Sequence, residues 1–191
     1  MIANILLIDN FDSFTFNLLH LIEKVSEAKV DVVRNNQLLN IDVKFYDAII
    51  ISPGPGIPSE AGQLMQFIHQ NINFKPFFGV CLGHQAIAEA LGAKLKNLSF
   101  PFHGVKSEIQ TNQKGIFKNL PNKFNVARYH SWVVDTENFP NDFEITATDQ
   151  NNNIMAFQHK SKPIIGIQFH PESILSDFAL EIMSNWINQI E

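Results

Sequence analysis

The sequence is poor in cysteine: Cys81 is the single one among 191 residues. An internal disulfide is therefore excluded, and the thiol is either a small buried hydrophobe or a working chemical group. No Cys-x-x-Cys or His-x-x-x-His spacing is present to suggest a metal site. We expect no metal and no cofactor in this chain.

Runs of lysine and arginine are also missing, and the formal net charge is −5. A nucleic-acid-binding protein ordinarily carries a basic patch, so small molecules or other proteins are the expected partners. The sequence contains no apolar run of about 18 residues, the length that a membrane span needs, and no basic leader with a cleavage site. These absences favour a cytoplasmic protein without nucleic-acid or membrane contact.

The bulk composition is that of a globular protein, with 45% hydrophobic and 17% charged residues. A chain of this length can bury one large core but is short for two. No linker, repeat or low-complexity tract divides it. We expect residues 1–191 to form a single domain.

Strands and helices alternate in the first half of the chain. Apolar runs typical of buried strands occupy residues 5–8, 30–33, 48–51 and 76–80. Helical spacing follows at 14–25, from Ser59 or Glu60 to about His69, and after residue 81 as far as about Gly92. This alternation predicts an α/β fold with a mostly parallel central sheet, helices on both faces, and ligands at the carboxyl ends of the strands.

The second half is smaller and rich in β-structure. Strands are predicted at 105–109, 124–129, 144–148, 154–158 and 164–169, with a hairpin turn at 151–153. A closing amphipathic helix is predicted for residues 178–190, and its inner side is expected to carry Leu180, Met183, Trp186 and Ile187.

The densest chemical signal surrounds Cys81, which stands between a predicted strand and a predicted helix. Gly79 and Gly83 flank it two positions away on either side, as a sharp and crowded turn requires. The helix N-terminus adds free N–H groups and a dipole that favour a thiolate. The pattern indicates a cysteine nucleophile for acyl transfer; a structural cysteine that opens a core helix is the alternative.

A nucleophile of this kind needs a base, and the base needs a residue that orients it. His170 follows the predicted strand at 164–169, and Glu172 comes two residues later, beyond the stiff Pro171. Because the ends of parallel strands converge, His170 and Cys81 can meet in space. A surface loop with an incidental ion pair is the alternative for this segment taken alone.

Together these segments resemble the class I glutamine amidotransferases. The resemblance spans nearly the whole chain and rests on four motifs in the same order: SPGPG at 52–56, GVCLGHQ at 79–85, RYHS at 128–131 and QFHPES at 168–173. Residues 9–15, DNFDSFT, are similar to the glutaminase subunits of anthranilate synthase and aminodeoxychorismate synthase.

The resemblance implies a role for each matching position. Cys81 would attack the glutamine amide, His170 would transfer protons, and Glu172 would orient His170. The family's oxyanion hole matches the backbone N–H groups of Leu82 and Gly54. The matching positions expected to bind glutamine or the oxyanion are Gly54, Pro55, Gly56, Leu82, Gln85, Ser131 and Trp132.

The resemblance also implies a partner, a chorismate-using synthase subunit that receives ammonia and holds any Mg²⁺. Anthranilate synthesis is the favoured pathway, and aminodeoxychorismate synthesis, or service to both, is the alternative. Two further alternatives are an independent cysteine hydrolase of γ-glutamyl compounds and an inactive subunit that only regulates its partner.

Overall fold

The structure, a computed structural model, describes residues 3–137 and 139–190. Its strands are β1 (Asn4–Asp9), β2 (Lys29–Arg34), β3 (Ala48–Ile51), β4 (Phe77–Val80), β5 (Leu95–Asn97), β6 (Val105–Thr111), β7 (Lys123–Arg128), β8 (Trp132–Val134), β9 (Phe143–Asp149), β10 (Ile154–His159) and β11 (Ile164–Ile167). Its α-helices are α1 (Phe14–Val25), α2 (Leu64–Asn71), α3 (Leu82–Ala90) and α4 (Ala179–Ile187).

Nine strands form one continuous sheet in the order β2-β1-β3-β4-β11-β10-β9-β6-β7. The pairs from β2 to β11 are parallel, and those from β11 to β7 are antiparallel. The predicted α/β fold is confirmed, and the β-rich second half proves to be an extension of the same sheet. Strands β5 and β8 pair separately.

Both faces of the parallel half are covered, as a buried parallel sheet requires. Along β1, Ile5 and Leu7 join the core that contains α1 and α4, while Leu6 and Ile8 join the core that contains α2 and α3. This alternation follows from the two-residue period of a strand. Across the described residues, we find no helix with the length and apolarity that a bilayer crossing demands.

Helix α2 begins later than the sequence pattern predicts. Residues Pro58–Glu60 form a 3-10 turn, and the α-helix starts only at Leu64. Between them Gly62 has a φ of +57°, a left-handed conformation that a continuous α-helix does not contain. The predicted start at Ser59 or Glu60 was therefore wrong.

Two details of the second half also differ from prediction. Leu180 is 47% exposed, because the inner face of α4 is centred on Ile182, Met183, Trp186 and Ile187. Strand β11 ends at Ile167 rather than at residue 169. The small sheet of β5 and β8 was not predicted, since each strand has only three residues.

Candidate active site

Cys81 occupies a tight elbow between β4 and α3. Its backbone has φ 52° and ψ −100°, a conformation that side chains rarely adopt. A Cβ atom on Gly79 would lie 2.4 Å from the carbonyl carbon of Gly83, and one on Gly83 would lie 2.5 Å from the carbonyl oxygen of Ile51. The crowding at this turn therefore excludes larger residues at both glycine positions, as the sequence predicts.

The neighbouring strand β11 brings His170 to the elbow. The Cys81 N–H donates to the carbonyl oxygen of Ile167 at 2.9 Å, which ties the end of β4 to the end of β11. Three residues further on, the His170 N–H donates to the carbonyl oxygen of Ala127 at 3.0 Å. The histidine is thus held between the parallel and antiparallel halves of the sheet.

The imidazole of His170 is paired with Glu172 in a buried environment. Nδ1 lies 2.7 Å from Glu172 Oε1, and the two side chains are 2% and 0% exposed. Burial alone would lower the pKa of His170, but attraction to the Cys81 sulfur and the bond to Glu172 outweigh it and raise the pKa to about 10. Nε2 has no hydrogen-bond partner among the described residues. This nitrogen remains available for proton exchange.

A cavity of about 120 Å³ opens beside the sulfur. It is smaller than the roughly 300–1,000 Å³ of sites for drug-sized ligands, which suits a small metabolite. Its lining residues are Gly54, Pro55, Gly56, Cys81, Leu82, Gln85, Tyr129, His130, Ser131 and Trp132. The structure thus brings every residue predicted to contact glutamine or its oxyanion into the lining of one cavity with Cys81.

A larger cavity, of about 440 Å³, lies between α1 and α4. Glu172 is on its wall, but Cys81 is not, so this cavity does not reach the Cys81 sulfur. We therefore place the candidate active site at the smaller cavity. Tyr129 and His130 were not predicted as parts of it, although both lie within the RYHS motif.

An asparagine fixes the loop that carries Gly54. The side-chain Nδ2 of Asn10 donates to the carbonyl oxygen of Ser52 at 2.9 Å, and the Asn10 N–H donates to Ser52 Oγ at 3.1 Å. Asn35 in turn donates to Asn10 Oδ1 at 3.0 Å. A Cβ on Gly54 would lie 2.5 Å from Leu82 Cδ2, so the loop lies directly against the start of α3.

His84 lies under the elbow and packs against Phe157. Its ring is fully buried, with its centroid 4.6 Å from that of Phe157, and neither ring nitrogen has a partner among the described residues. Burial lowers the pKa of His84 to about 3, so the ring is neutral. Within residues 3–137 and 139–190, no group of three or more histidine, cysteine, aspartate or glutamate side chains is arranged to hold a metal ion.

The profile of the family described as "Glutamine amidotransferase class-I" matches residues 6–190. The chain belongs to this family. It is 43% identical over 187 residues to anthranilate synthase component 2 of Cyanophora paradoxa, covering 96% of this chain and 98% of the relative. It is 42% identical over 185 residues to aminodeoxychorismate/anthranilate synthase component 2 of Bacillus subtilis, covering 96% and 95%.

The fold of this amidotransferase is shared with a crystal structure from Thermoplasma acidophilum. The TM-score is 0.89 with 24% identity, and the match covers 100% of this chain and 94% of the other. At 24% identity, this match shows that the two proteins share a fold.

Two carbonyl groups on the cavity wall of the amidotransferase are already engaged. The carbonyl oxygen of Ser131 accepts from the Leu98 N–H at 2.7 Å. That of Trp132 accepts from Gln85 Nε2 at 2.9 Å and lies 2.9 Å from His130 Nδ1. Gln85 is therefore held in place by backbone, and its side-chain orientation is determined before any ligand arrives.

Proposed function

We propose that this protein is the glutaminase subunit of a synthase and that Cys81, His170 and Glu172 form its catalytic triad. One observation carries the proposal: the lone thiol lies on the wall of a cavity at a strained elbow and interacts with the buried imidazole of His170, which the carboxylate of Glu172 holds from the other side. Nucleophile, base and orienting group are the parts that acyl transfer through a thioester requires.

The reaction begins when the thiolate of Cys81 attacks the side-chain amide carbon of glutamine. The carbonyl π electrons move to oxygen and give a tetrahedral oxyanion. The imidazolium of His170 protonates the amide nitrogen, the C–N bond breaks, and ammonia leaves with a γ-glutamyl thioester on sulfur. Water, deprotonated by His170, then attacks the thioester and releases glutamate and the thiolate.

The oxyanion is assigned to the backbone N–H groups of Leu82 and Gly54. Leu82 is the first residue of α3, where N–H groups lack intrahelical acceptors and the helix dipole favours negative charge. Gly54, Pro55 and Gly56 bring a second backbone segment against it. Gln85 and the backbone of Ser131 and Trp132 are assigned to the amino-acid end of glutamine, which the opposite wall of the cavity receives.

The ammonia is proposed to pass to a chorismate-using synthase subunit, with anthranilate as the product. The name of the Cyanophora relative supports that pathway. Aminodeoxychorismate synthesis, alone or in addition, is the second candidate, because the name of the Bacillus relative contains both. Under either pathway Mg²⁺ belongs to the partner, and the complex works in the cytoplasm.

The decisive experiment compares wild type and Cys81→Ser in the complex reconstituted with the synthase subunit. We expect synthesis from glutamine to be lost and synthesis from added ammonium salt to be retained. His20→Gln, on the exposed side of α1, is a matched control that should change neither activity. Retention of glutamine-dependent synthesis by Cys81→Ser would overturn the proposal, as would rapid hydrolysis of γ-glutamyl peptides with glutamine inert. Co-purification with one synthase or the other decides the pathway.

A further inference from the structure

The Cys81 sulfur has a polar neighbour besides His170. The side-chain Nε2 of Gln168 lies 3.6 Å from Cys81 Sγ, within hydrogen-bond reach for sulfur. Gln168 is fully buried in the segment that joins β11 to His170, and it is not among the residues that line the cavity. It therefore contacts the reacting atom from the protein side and leaves the substrate side open.

Neighbouring contacts decide which end of the Gln168 amide faces sulfur. The carbonyl oxygen of Trp132 can only accept a hydrogen bond, so the atom of Gln85 that contacts it must be the NH₂ group. The same nitrogen contacts the Gln168 side chain at 3.0 Å, and this contact must end on the oxygen of Gln168. The NH₂ group of Gln168 is then the end directed at Cys81.

The orientation is anchored further away by a buried ion pair. Arg128 NH1 lies 2.7 Å from Asp149 Oδ2, and Arg128 Nε donates to His130 Nε2 at 3.1 Å. His130 Nε2 is thus an acceptor, and Nδ1–H is the donor to Trp132. Burial and the charge of Arg128 lower the pKa of His130 to about 3, which keeps this ring neutral and its tautomer fixed.

From these contacts we infer that Gln168 is a catalytic residue of the glutaminase, a hydrogen-bond donor that stabilises the Cys81 thiolate. The inference rests on the proposed function, since it takes Cys81 as the nucleophile. Hydrogen bonding to the charged form of a group favours that form, and the effect is large where water is excluded. When the thioester is hydrolysed and Cys81 departs as a thiolate, the NH₂ group of Gln168 again donates to the charged sulfur.

The test is the pH dependence of Cys81 alkylation by iodoacetamide, which needs no glutamine turnover. Gln168→Met keeps the length of the side chain and removes the donor; it also removes the oxygen that accepts from Gln85, which keeps its bond to the carbonyl oxygen of Trp132. We expect the midpoint of its rate profile to move upward by about one pH unit, which is about tenfold less thiolate at a fixed pH below the midpoint. Gln158→Met is the matched control: this glutamine lies on β10 and donates to Glu144, away from the sulfur. Its profile should coincide with wild type.

Steady-state kinetics distinguish hydrogen-bond donation by Gln168 from a role in packing alone. We expect kcat of Gln168→Met with glutamine to fall about tenfold while KM stays within about twofold, since Gln168 does not line the cavity and Gln85 is still held by the carbonyl oxygen of Trp132. An unchanged alkylation midpoint in a variant with a wild-type circular dichroism spectrum would overturn the inference. If the variant does not fold, the test is the side-chain ¹⁵N resonance of Gln168 in the wild-type protein, whose chemical shift must change as the Cys81 thiol ionises. A chemical shift that does not follow this ionisation overturns the inference.

The two proposals fail in different ways. Glutamine-dependent synthesis that survives in Cys81→Ser refutes the glutaminase mechanism, whatever Gln168 does. An alkylation profile that is insensitive to Gln168, together with loss of activity in Cys81→Ser, refutes only the role of Gln168.

Discussion

The two halves of the sheet contribute to the site in different ways. The parallel half supplies the proposed reactive groups from short segments just beyond strand ends: the Gly54 loop after β3, Cys81 after β4 and His170 after β11. The antiparallel half supplies a buried polar framework that starts from Arg128 and Asp149. Strand-end position thus places the proposed nucleophile and base, whereas hydrogen bonds made at a distance orient the amide groups around them.

The largest expected effect is a loss of stability from a substitution in the parallel half of the sheet. Gly79→Ala places a Cβ 2.4 Å from the backbone of Gly83, which no side-chain movement can relieve. We expect a loss of about 3 kcal/mol or more in the free energy of unfolding, or no folded protein, measured by urea denaturation. Gly92→Ala is the control, since no atom lies within 4 Å of its Cβ; its φ of +96° should cost only about 1 kcal/mol. Equal losses in both variants would contradict the crowding argument.

The next largest effect is expected in the antiparallel half of the sheet, at the buried ion pair of Arg128 and Asp149. Arg128→Met leaves the Asp149 carboxylate without its cation in a site where both side chains are almost fully buried, and removing one member of such a pair costs about 3–5 kcal/mol. Burial raises the pKa of Asp149, but bonds from Asn153 and the charge of Arg128 outweigh it and hold the value below the usual range. Urea denaturation measures this loss of stability. In a separate activity assay, we expect any folded fraction of the variant to show a reduced glutaminase rate.

A surface pair provides the control for that variant. Lys106→Met removes a lysine that is 47% exposed and pairs with Asp177, and exposed pairs contribute about 0–1 kcal/mol. If Arg128→Met were as stable as Lys106→Met, the buried pair would not anchor the framework.

A smaller effect concerns acid stability. The pKa of His84 is lowered to about 3 by burial, so between pH 6.5 and 3 the unfolded chain binds a proton there that the folded chain does not. Stability must therefore fall as pH falls through this window, by up to about 1.4 kcal/mol per pH unit from this group. His84→Gln should reduce the slope measured by urea denaturation between pH 7 and 4.5, while the contribution of His130, whose pKa is also lowered to about 3, should remain. A slope in His84→Gln as steep as that of the wild-type protein would refute the assignment.

The smallest expected effect sharpens the comparison at the cavity itself. The contacts of Trp132 with Gln85 and His130 use its carbonyl oxygen. We expect Trp132→Leu to change KM for glutamine less than about threefold, because the backbone acceptor is kept. A rise of more than tenfold in steady-state assays would show that the indole itself recognises the substrate.

The sequence predicted the parts of the site that depend on local pattern. The glycine spacing around Cys81 determines the elbow, and the position of His170 and Glu172 after an apolar run places them at a strand end. Gln168 was quoted only as part of a motif, because its contact with Gln85 joins residues 83 positions apart. The start of α2 and the exposure of Leu180 depend on a left-handed glycine and on helix packing, which periodicity alone does not contain.

The sequence has two tryptophans, and in the folded chain they lie in different environments. Trp132 lies half-buried on the cavity wall, whereas Trp186 is 1% exposed and its ring centroid is 5.1 Å from that of Phe78. Indole emission depends on local polarity, so the wild-type protein carries one fluorophore at the mouth of the site and one inside the core. In Trp132→Leu the remaining emission reports folding alone, and subtracting it from the wild-type spectrum isolates a signal for ligand arrival.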